Sequence, residues 1–220
     1  MSTRTVFTND LRELLNEVMI LGSMVERAID EAIVALRDQD VDRARAVISG
    51  DDEINRRRWQ LEEESLRLMA LQAPMAGDLR RIAAVMHVAT DLERMADHAE
   101  GISHLVIRTA DEPLLKPLLD IPRMATIARK MLLDAVEAFA EDDAVAARAI
   151  AERDDEVDLL YDQIYHELLT YMLADPTTIS RATHLLWAAH NIERVGDRVT
   201  NICERVVFVV TGSIEELNRN

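Results

Sequence analysis

Two short acidic patterns, each present twice, are where this sequence could do chemistry. Glu93-Arg94-Met95-Ala96-Asp97 returns as Glu193-Arg194-Val195-Gly196-Asp197, and Asp51-Asp52-Glu53-Ile54-Asn55 returns as Asp154-Asp155-Glu156-Val157-Asp158. In each, oxygen-bearing side chains stand four residues apart, which on a helix puts them on successive turns of one face. Like charges at that spacing repel by a few tenths of a kcal/mol, so something must compensate them. One candidate is arginine, since Arg94, Arg194 and Arg198 are close in sequence, and interhelical salt bridges would follow. The other is a bound cation. Hard divalent or trivalent ions want several oxygen ligands, and an acidic pair on each of two packed helices is how many helical metal sites are built. Histidine is nearly absent from these pairs, so iron, manganese, magnesium or calcium suits them better than zinc at a closed site. Duplication of both pairs in register favours the cation.

The helices that must hold these residues can be read from hydrophobic spacing. At about 100° per residue, with Glu93 at zero, Asp97 falls near 40°, Glu100 near −20° and His104 near 20°, while Leu92, Ala96, Ala99 and Ser103 lie around −100°. The acids form a strip beside a buried seam rather than inside it. In the second copy Glu193, Asp197 and Glu204 align, with His190 and Asn201 beside them. Six helices are predicted: about 9–37, 42–71, 78–109, 122–140, 143–173 and 179–210. Leu14, Leu15, Val18, Leu21, Val25, Ala28, Ile29, Ala32 and Ile33 give the first a buried stripe, with Thr8 or Asn9 as its cap. Arg56–Arg57–Arg58 and Glu62–Glu63–Glu64 give the second a solvated face with i,i+4 pairing. Ala73–Pro74–Met75–Ala76–Gly77 and Asp175–Pro176–Thr177–Thr178 are breaks, and Gly212 is a stop signal. The longer helices have about 30 residues, roughly 45 Å at 1.5 Å each, and pack lengthwise.

A third, weaker match, Glu31–Leu36 against Asp134–Phe139, keeps the same order as the other two. One three-helix unit has been copied. Prolines 113, 117 and 122 cluster between the copies, dividing the chain into residues 1–112 and 113–220. The fold class expected is all-α, two tandem three-helix units with six long helices.

Composition excludes several functions. Aromatics are 4% of 220 residues against 49% hydrophobic overall, so aliphatic residues fill the core, which suits helices better than a β-sandwich. Six glycines and five prolines leave few turns. A net charge of −16 opposes nucleic acid and anionic lipid. The single cysteine, Cys203, can form neither an internal disulfide nor a thiolate cluster, and reads as core. The polar stretch Met1–Asp10 offers no apolar targeting segment. The longest apolar run, Val206–Val210, is far short of a membrane span. A cytoplasmic protein is expected. No Gly-x-Ser-x-Gly elbow or Gly-rich phosphate loop is present, and nucleophilic catalysis has no support. Trp59 and Trp187 read as packing or interface aromatics; His87, His98, His166 and His184 read as structural.

These segments resemble the PhoU family, bacterial phosphate-transport accessory proteins and negative regulators of the phosphate-starvation response. The resemblance runs from Leu11 to Gly212 and rests on Met24-Val25-Glu26, Gln72-Ala73-Pro74 with Asp78-Leu79-Arg80, Leu92–Asp97, and Asn191–Arg198 followed by Asn201-Ile202. It implies two three-helix bundles related by pseudo-twofold symmetry, no catalytic activity, and a homodimer. It implies multinuclear metal sites, with iron first and zinc, manganese or magnesium after it. Carried over, the first set is Asp51, Asn55, Glu93, Asp97 and Glu100, and the second is Asp154, Asp158, Glu193, Asp197 and Asn201. Asn55, Thr200 and Asn201 depart from a fully acidic pattern. The partners implied are the ATPase subunit of the phosphate ABC importer and a sensor histidine kinase. Two other functions compete with this one: a metal-dependent phosphate-ester hydrolase and a metal-free helical scaffold.

Overall fold

The turn between the first two helices shows how the fold is written, because it occurs twice. Gln39 takes a left-handed backbone (φ 53°), and Asp40 then caps the next helix by accepting from the Arg43 amide. Asp142 repeats the left-handed step (φ 59°), and Asp143 caps by accepting from the Val145 and Ala146 amides. An aspartate at this position satisfies helix amides that have no carbonyl within the helix. The two turns join the same pair of helices in each copy of the unit.

In the computed structural model, which describes residues 3–217, every regular element is helical. The order is α1 (Thr3–Asp38), α2 (Val41–Gln72), α3 (Gly77–Thr109), α4 (Asp120–Glu141), α5 (Ala144–Ala151), α6 (Asp154–Ala174) and α7 (Ile179–Thr211), with a 3-10 turn at Pro176–Thr178 before α7. Helices α1, α2 and α3 pack on one another, α4 to α7 do the same, and α1·α4 and α3·α7 join the halves. No described helix is long and apolar enough to cross a membrane.

Two of the expected bounds are corrected. Helix α1 begins at Thr3, so Thr8 and Asn9 lie inside it rather than at its cap; Met1 and Ser2 lie outside the described residues. The helix expected over 143–173 is in two pieces, parted at Glu152–Arg153. No proline or glycine stands there. The Arg153 amide instead bonds the Ile150 carbonyl, a tightened turn, and the Arg153 guanidinium bonds Asp134 of α4 at 2.8 Å. Tertiary pairing, not local propensity, breaks this helix. The expected stop at Gly212 is present: its φ is 76° and its amide bonds the Phe208 carbonyl.

Burial follows the hydrophobic spacing. Val18, Leu21, Val25, Ile29 and Ala32 of α1 are fully buried, as are Val88, Leu92, Met95, Ala99 and Ile102 of α3 and Ile192, Val199, Ile202 and Cys203 of α7. Each valine, leucine, isoleucine or methionine among them contributes about 1.5–3 kcal/mol. Burial pushes the Cys203 thiol up to about 12, which keeps it protonated and inert.

The packing of α3 on α7 carries the internal symmetry. Arg198 donates to Asp91 Oδ1 at 3.2 Å. Residues one hundred positions away make the reciprocal contact, His98 Nδ1 with Asn191 Oδ1 at 3.0 Å. Exchanging residue i with i+100 maps one contact on the other. The halves are therefore related by a pseudo-twofold axis through this helix pair.

Candidate metal centres

The first acidic set is built by α2 and α3. Asp51, Asp97 and Glu100 each offer an oxygen, and the three lie within 4.8 Å of one another. Asp51 Oδ2 accepts from Asn55 Nδ2 at 2.5 Å, while Oδ1 is shielded from solvent and has no hydrogen-bond partner. Burial, then the charges of Glu100, Asp97 and Glu93, push the Asp51 carboxyl up to about 6. Glu93 is raised by burial first and Asp97 second, against Arg94, Arg58 and Arg198. Arg94 bonds Asp97 Oδ2 at 2.9 Å, and His104 Nε2 lies 3.4 Å from Glu100 Oε1.

The second set is built by α6 and α7 and is buried more deeply. Asp154 is 6% exposed, and its Oδ1 has no hydrogen-bond partner. Burial, then Asp158, Asp197, Glu193 and Asp155, push its carboxyl up to about 7. Glu193 is also pushed up to about 7, by burial and then Asp197. Its Oε2 lies 3.1 Å from His190 Nδ1. Arg194 bonds Asp197 Oδ2 at 2.7 Å, as Arg94 does Asp97.

The structure thus brings oxygens of Asp51, Asp97 and Glu100 within 4.8 Å of one another, with Asn55 and Glu93 beside them; among the described residues Asp158, Glu193 and Asp197 lie near enough to raise the Asp154 carboxyl but do not meet that spacing. Asn201 is engaged elsewhere: its amide nitrogen lies 3.4 Å from Asp91 Oδ1, across the α3·α7 seam. Glu204, aligned with the second strip in sequence, accepts from the Leu217 amide at 2.9 Å. Thr200 stands where the first set has Glu100; it is buried and donates to the Asp197 carbonyl. Sequence reasoning missed two residues. Asp91 is a buried acid, raised chiefly by burial and held by Asn201 and Arg198; its signal was the pairing of Asp91 with Asn191 inside the repeat. Gly196, in place of Ala96, was the other.

A buried carboxylate is normally paired or hydrogen-bonded. Here oxygens of Asp51 and Asp154 have neither, amid several other acids, and the arginines at hand bond Asp97 and Asp197 instead. That is the environment a cation would complete, and an all-oxygen donor set fits a hard ion.

The PhoU domain family model matches residues 18–106 and again 121–206, one match in each half. The chain belongs to the PhoU family. A PhoU homolog from Clostridium acetobutylicum, named a phosphate-specific transport system accessory protein, is 36% identical and covers 98% of this chain and 99% of its own. One from Aquifex aeolicus with the same name is 40% identical over 93% of both chains. The crystal structure of PhoU from Pseudomonas aeruginosa superposes with a TM-score of 0.89 at 33% identity, covering 94% of this chain and all of that one. The phosphate transport system regulatory protein PhoU from Streptococcus pneumoniae gives 0.88 at 32%, covering 95% and 99%. The PhoU family is thus one of accessory and regulatory proteins, not of enzymes, and the two three-helix bundles are its fold.

Proposed function

We propose that this chain is a regulatory adaptor of phosphate transport that docks on the ATPase subunit of the phosphate ABC importer and on a sensor histidine kinase. Through those contacts it represses the phosphate-starvation response when phosphate is plentiful. The observation that carries this reading is the end-to-end likeness to proteins named as accessory to phosphate-specific transport. The chain's net charge of −16 suits a cytoplasmic protein that meets basic protein surfaces rather than nucleic acid or anionic lipid. Self-association as a homodimer belongs to the same reading and is checked by light scattering. Deleting the gene is expected to switch on phosphate-scavenging genes in phosphate-rich medium; unaltered repression would overturn the proposal. A pull-down from phosphate-replete cells is expected to recover both the ATPase and the kinase.

The cation reading belongs to this proposal. Asp51, Glu93, Asp97 and Glu100, with the amide of Asn55, would hold one site; Asp154, Asp158, Glu193 and Asp197 would hold the other, with Asn201 at its edge. Iron, manganese, magnesium or zinc would supply positive charge that joins two helices and cancels repulsion among the acids. The chain's own part is to hold acidic oxygens from two helices at one seam and keep Arg94 and Arg194 on the outer acid of each pair. Elemental analysis of protein purified without chelators tests this; absence of metal would favour a salt-bridged scaffold. The hydrolase alternative gains no support from shape. The large open groove, about 930 Å³, lies between α1 and α2 and is lined by none of these acids.

A further inference from the structure

The two units treat one pair of acids differently. Along α1 and α4, and along α2 and α6, residue i corresponds to i+103: Asp40 and Asp143 are matching caps, and Val18 with Ile121 and Leu61 with Ile164 are matching buried positions. By that offset Glu17 of α1 corresponds to Asp120 of α4, and Glu64 of α2 to Glu167 of α6. In the second unit the chain itself joins the two acids. Lys116, in the segment before α4, donates to Glu167 and to Asp120, the latter at 3.3 Å, and only 9% of its side chain is exposed. Leu118 is buried beside Ile164 and Leu168 of α6. The first unit has no such segment, since α1 runs on as helix from Glu17 back to Thr3. Among the described residues no cation joins Glu17 to Glu64: Arg57 bonds Glu17 and Glu53, and Arg67 bonds Glu64 within α2. Both acids instead line the open groove of about 930 Å³ between α1 and α2.

We propose that this groove docks a short segment of a partner protein that carries a lysine or arginine among leucines, as Leu114–Leu119 does in the second unit. The inference rests on the adaptor reading above for there being such a partner. The groove offers both parts of the recognition. Buried Leu14, Leu61 and Leu68 lie at its floor. Asp10, Glu13, Glu17, Glu53, Glu63 and Glu64 line it against two arginines, Arg57 and Arg67. A basic segment is drawn in, whereas a second copy of this chain, with its net charge of −16, is opposed. The arginine pairs do not close the groove. The Glu17 and Glu64 side chains are 48% and 51% exposed, and ion pairs so exposed contribute little. Each carboxylate also keeps lone pairs for a second donor. Along α2 the groove runs from Glu53 to Leu68, roughly 22 Å at 1.5 Å per residue, which is the reach of about seven extended residues. Acids in a row would not by themselves name an occupant; the lysine held by the same two positions in the other unit does.

The test titrates the full chain into a fluorescent peptide copying residues 113–119, followed by polarisation. The peptide is expected to bind with millimolar or tighter affinity, and more weakly as salt rises. Glu17→Gln combined with Glu64→Gln should weaken binding at least about fivefold. Glu137→Gln combined with Glu152→Gln removes the same charge from two exposed acids elsewhere and should change it less than about twofold. A peptide carrying Lys116→Gln should bind at least about fivefold more weakly than the parent. All four protein substitutions are at exposed positions, and circular dichroism checks that the helices persist. Failure of the parent peptide to bind, equal binding of the two peptides, or equal loss in the two double variants overturns the inference. The pull-down from phosphate-replete cells separates it from the adaptor reading. Wild type is expected to recover the ATPase and the kinase, and the Glu17→Gln, Glu64→Gln variant to lose one of them. If the variant recovers both as well as wild type does, the groove is not the dock and the adaptor reading stands. If wild type recovers neither, the adaptor reading falls and the peptide titration alone decides the groove.

Discussion

The acidic sets of the two halves keep the same number of carboxylates but place them differently. In the first, α2 gives one acid and an amide, Asp51 and Asn55, and α3 gives three acids. In the second, α6 gives two acids and α7 gives two, with Thr200 where Glu100 was. The first set is half exposed. The second has an aspartate buried against a glycine. Duplication copied positions and total charge; later substitutions changed depth. A repeat therefore says which residues correspond, and only the packing around them says how each behaves.

The largest expected effect exploits that depth. In an unfolded chain an aspartate titrates near 3.9, whereas folded Asp154 is pushed up to about 7. Between those values the folded protein holds a proton that the unfolded chain has released, so rising pH favours unfolding. Metal-free protein should lose stability from pH 4 through pH 7, and Asp154→Asn should abolish much of that loss. At pH 8 we expect the variant to be about 2–4 kcal/mol more stable than wild type in urea denaturation, from roughly 1.4 kcal/mol per pH unit shared among coupled acids. At pH 4 the two should nearly coincide. Asp51→Asn has the same sign over a window that closes near pH 6. Its partial exposure screens the effect to about 1 kcal/mol. Equal effects of the two variants would show that the sets do not differ in depth. A divalent ion should reverse the trend, raising wild-type stability at pH 8 more than at pH 5.

The α3·α7 contacts offer a second comparison. Arg198 neutralises buried Asp91, whereas its counterpart His98 bonds a neutral amide, Asn191. Removing one partner of a buried charge pair is the costlier change. Arg198→Ala should cost about 2–3 kcal/mol, held down by the remaining Asn201 contact. His98→Ala should cost about 1 kcal/mol, and Arg198→Ala combined with Asp91→Asn should recover much of the loss. Equal costs would mean that the axis is symmetric in energy as well as position.

How much of this was legible in the sequence depended on whether the cause was local. Gly212, the Pro74 and Pro176 breaks and the buried stripe of α1 follow from backbone chemistry and spacing, and they read correctly. The acidic pairs of α2, α3, α6 and α7 were legible because they occur twice. The break at Glu152–Arg153 was not, since it depends on Asp134 from another helix. Asp91 was missed for the same reason, and the contact of Asn201 with it was not foreseen: the two meet only when α7 is laid on α3. Gly196 was in view as a mismatch with Ala96, but its meaning lies in the distance to Asp154, which no single helix contains.

The smallest expected effect makes one set more like the other. Asn55→Asp gives the first set the carboxylate that Asp158 gives the second. It removes the amide donor to Asp51 and adds a like charge at i,i+4, so metal-free protein should lose about 0.5–1 kcal/mol at pH 8 and almost nothing at pH 4. Cation affinity of the first set should rise severalfold, because a carboxylate replaces an amide and no longer ties up Asp51. If the affinity of the first set stays where it was, Asn55 is not a ligand and the ion is held by Asp51, Asp97 and Glu100.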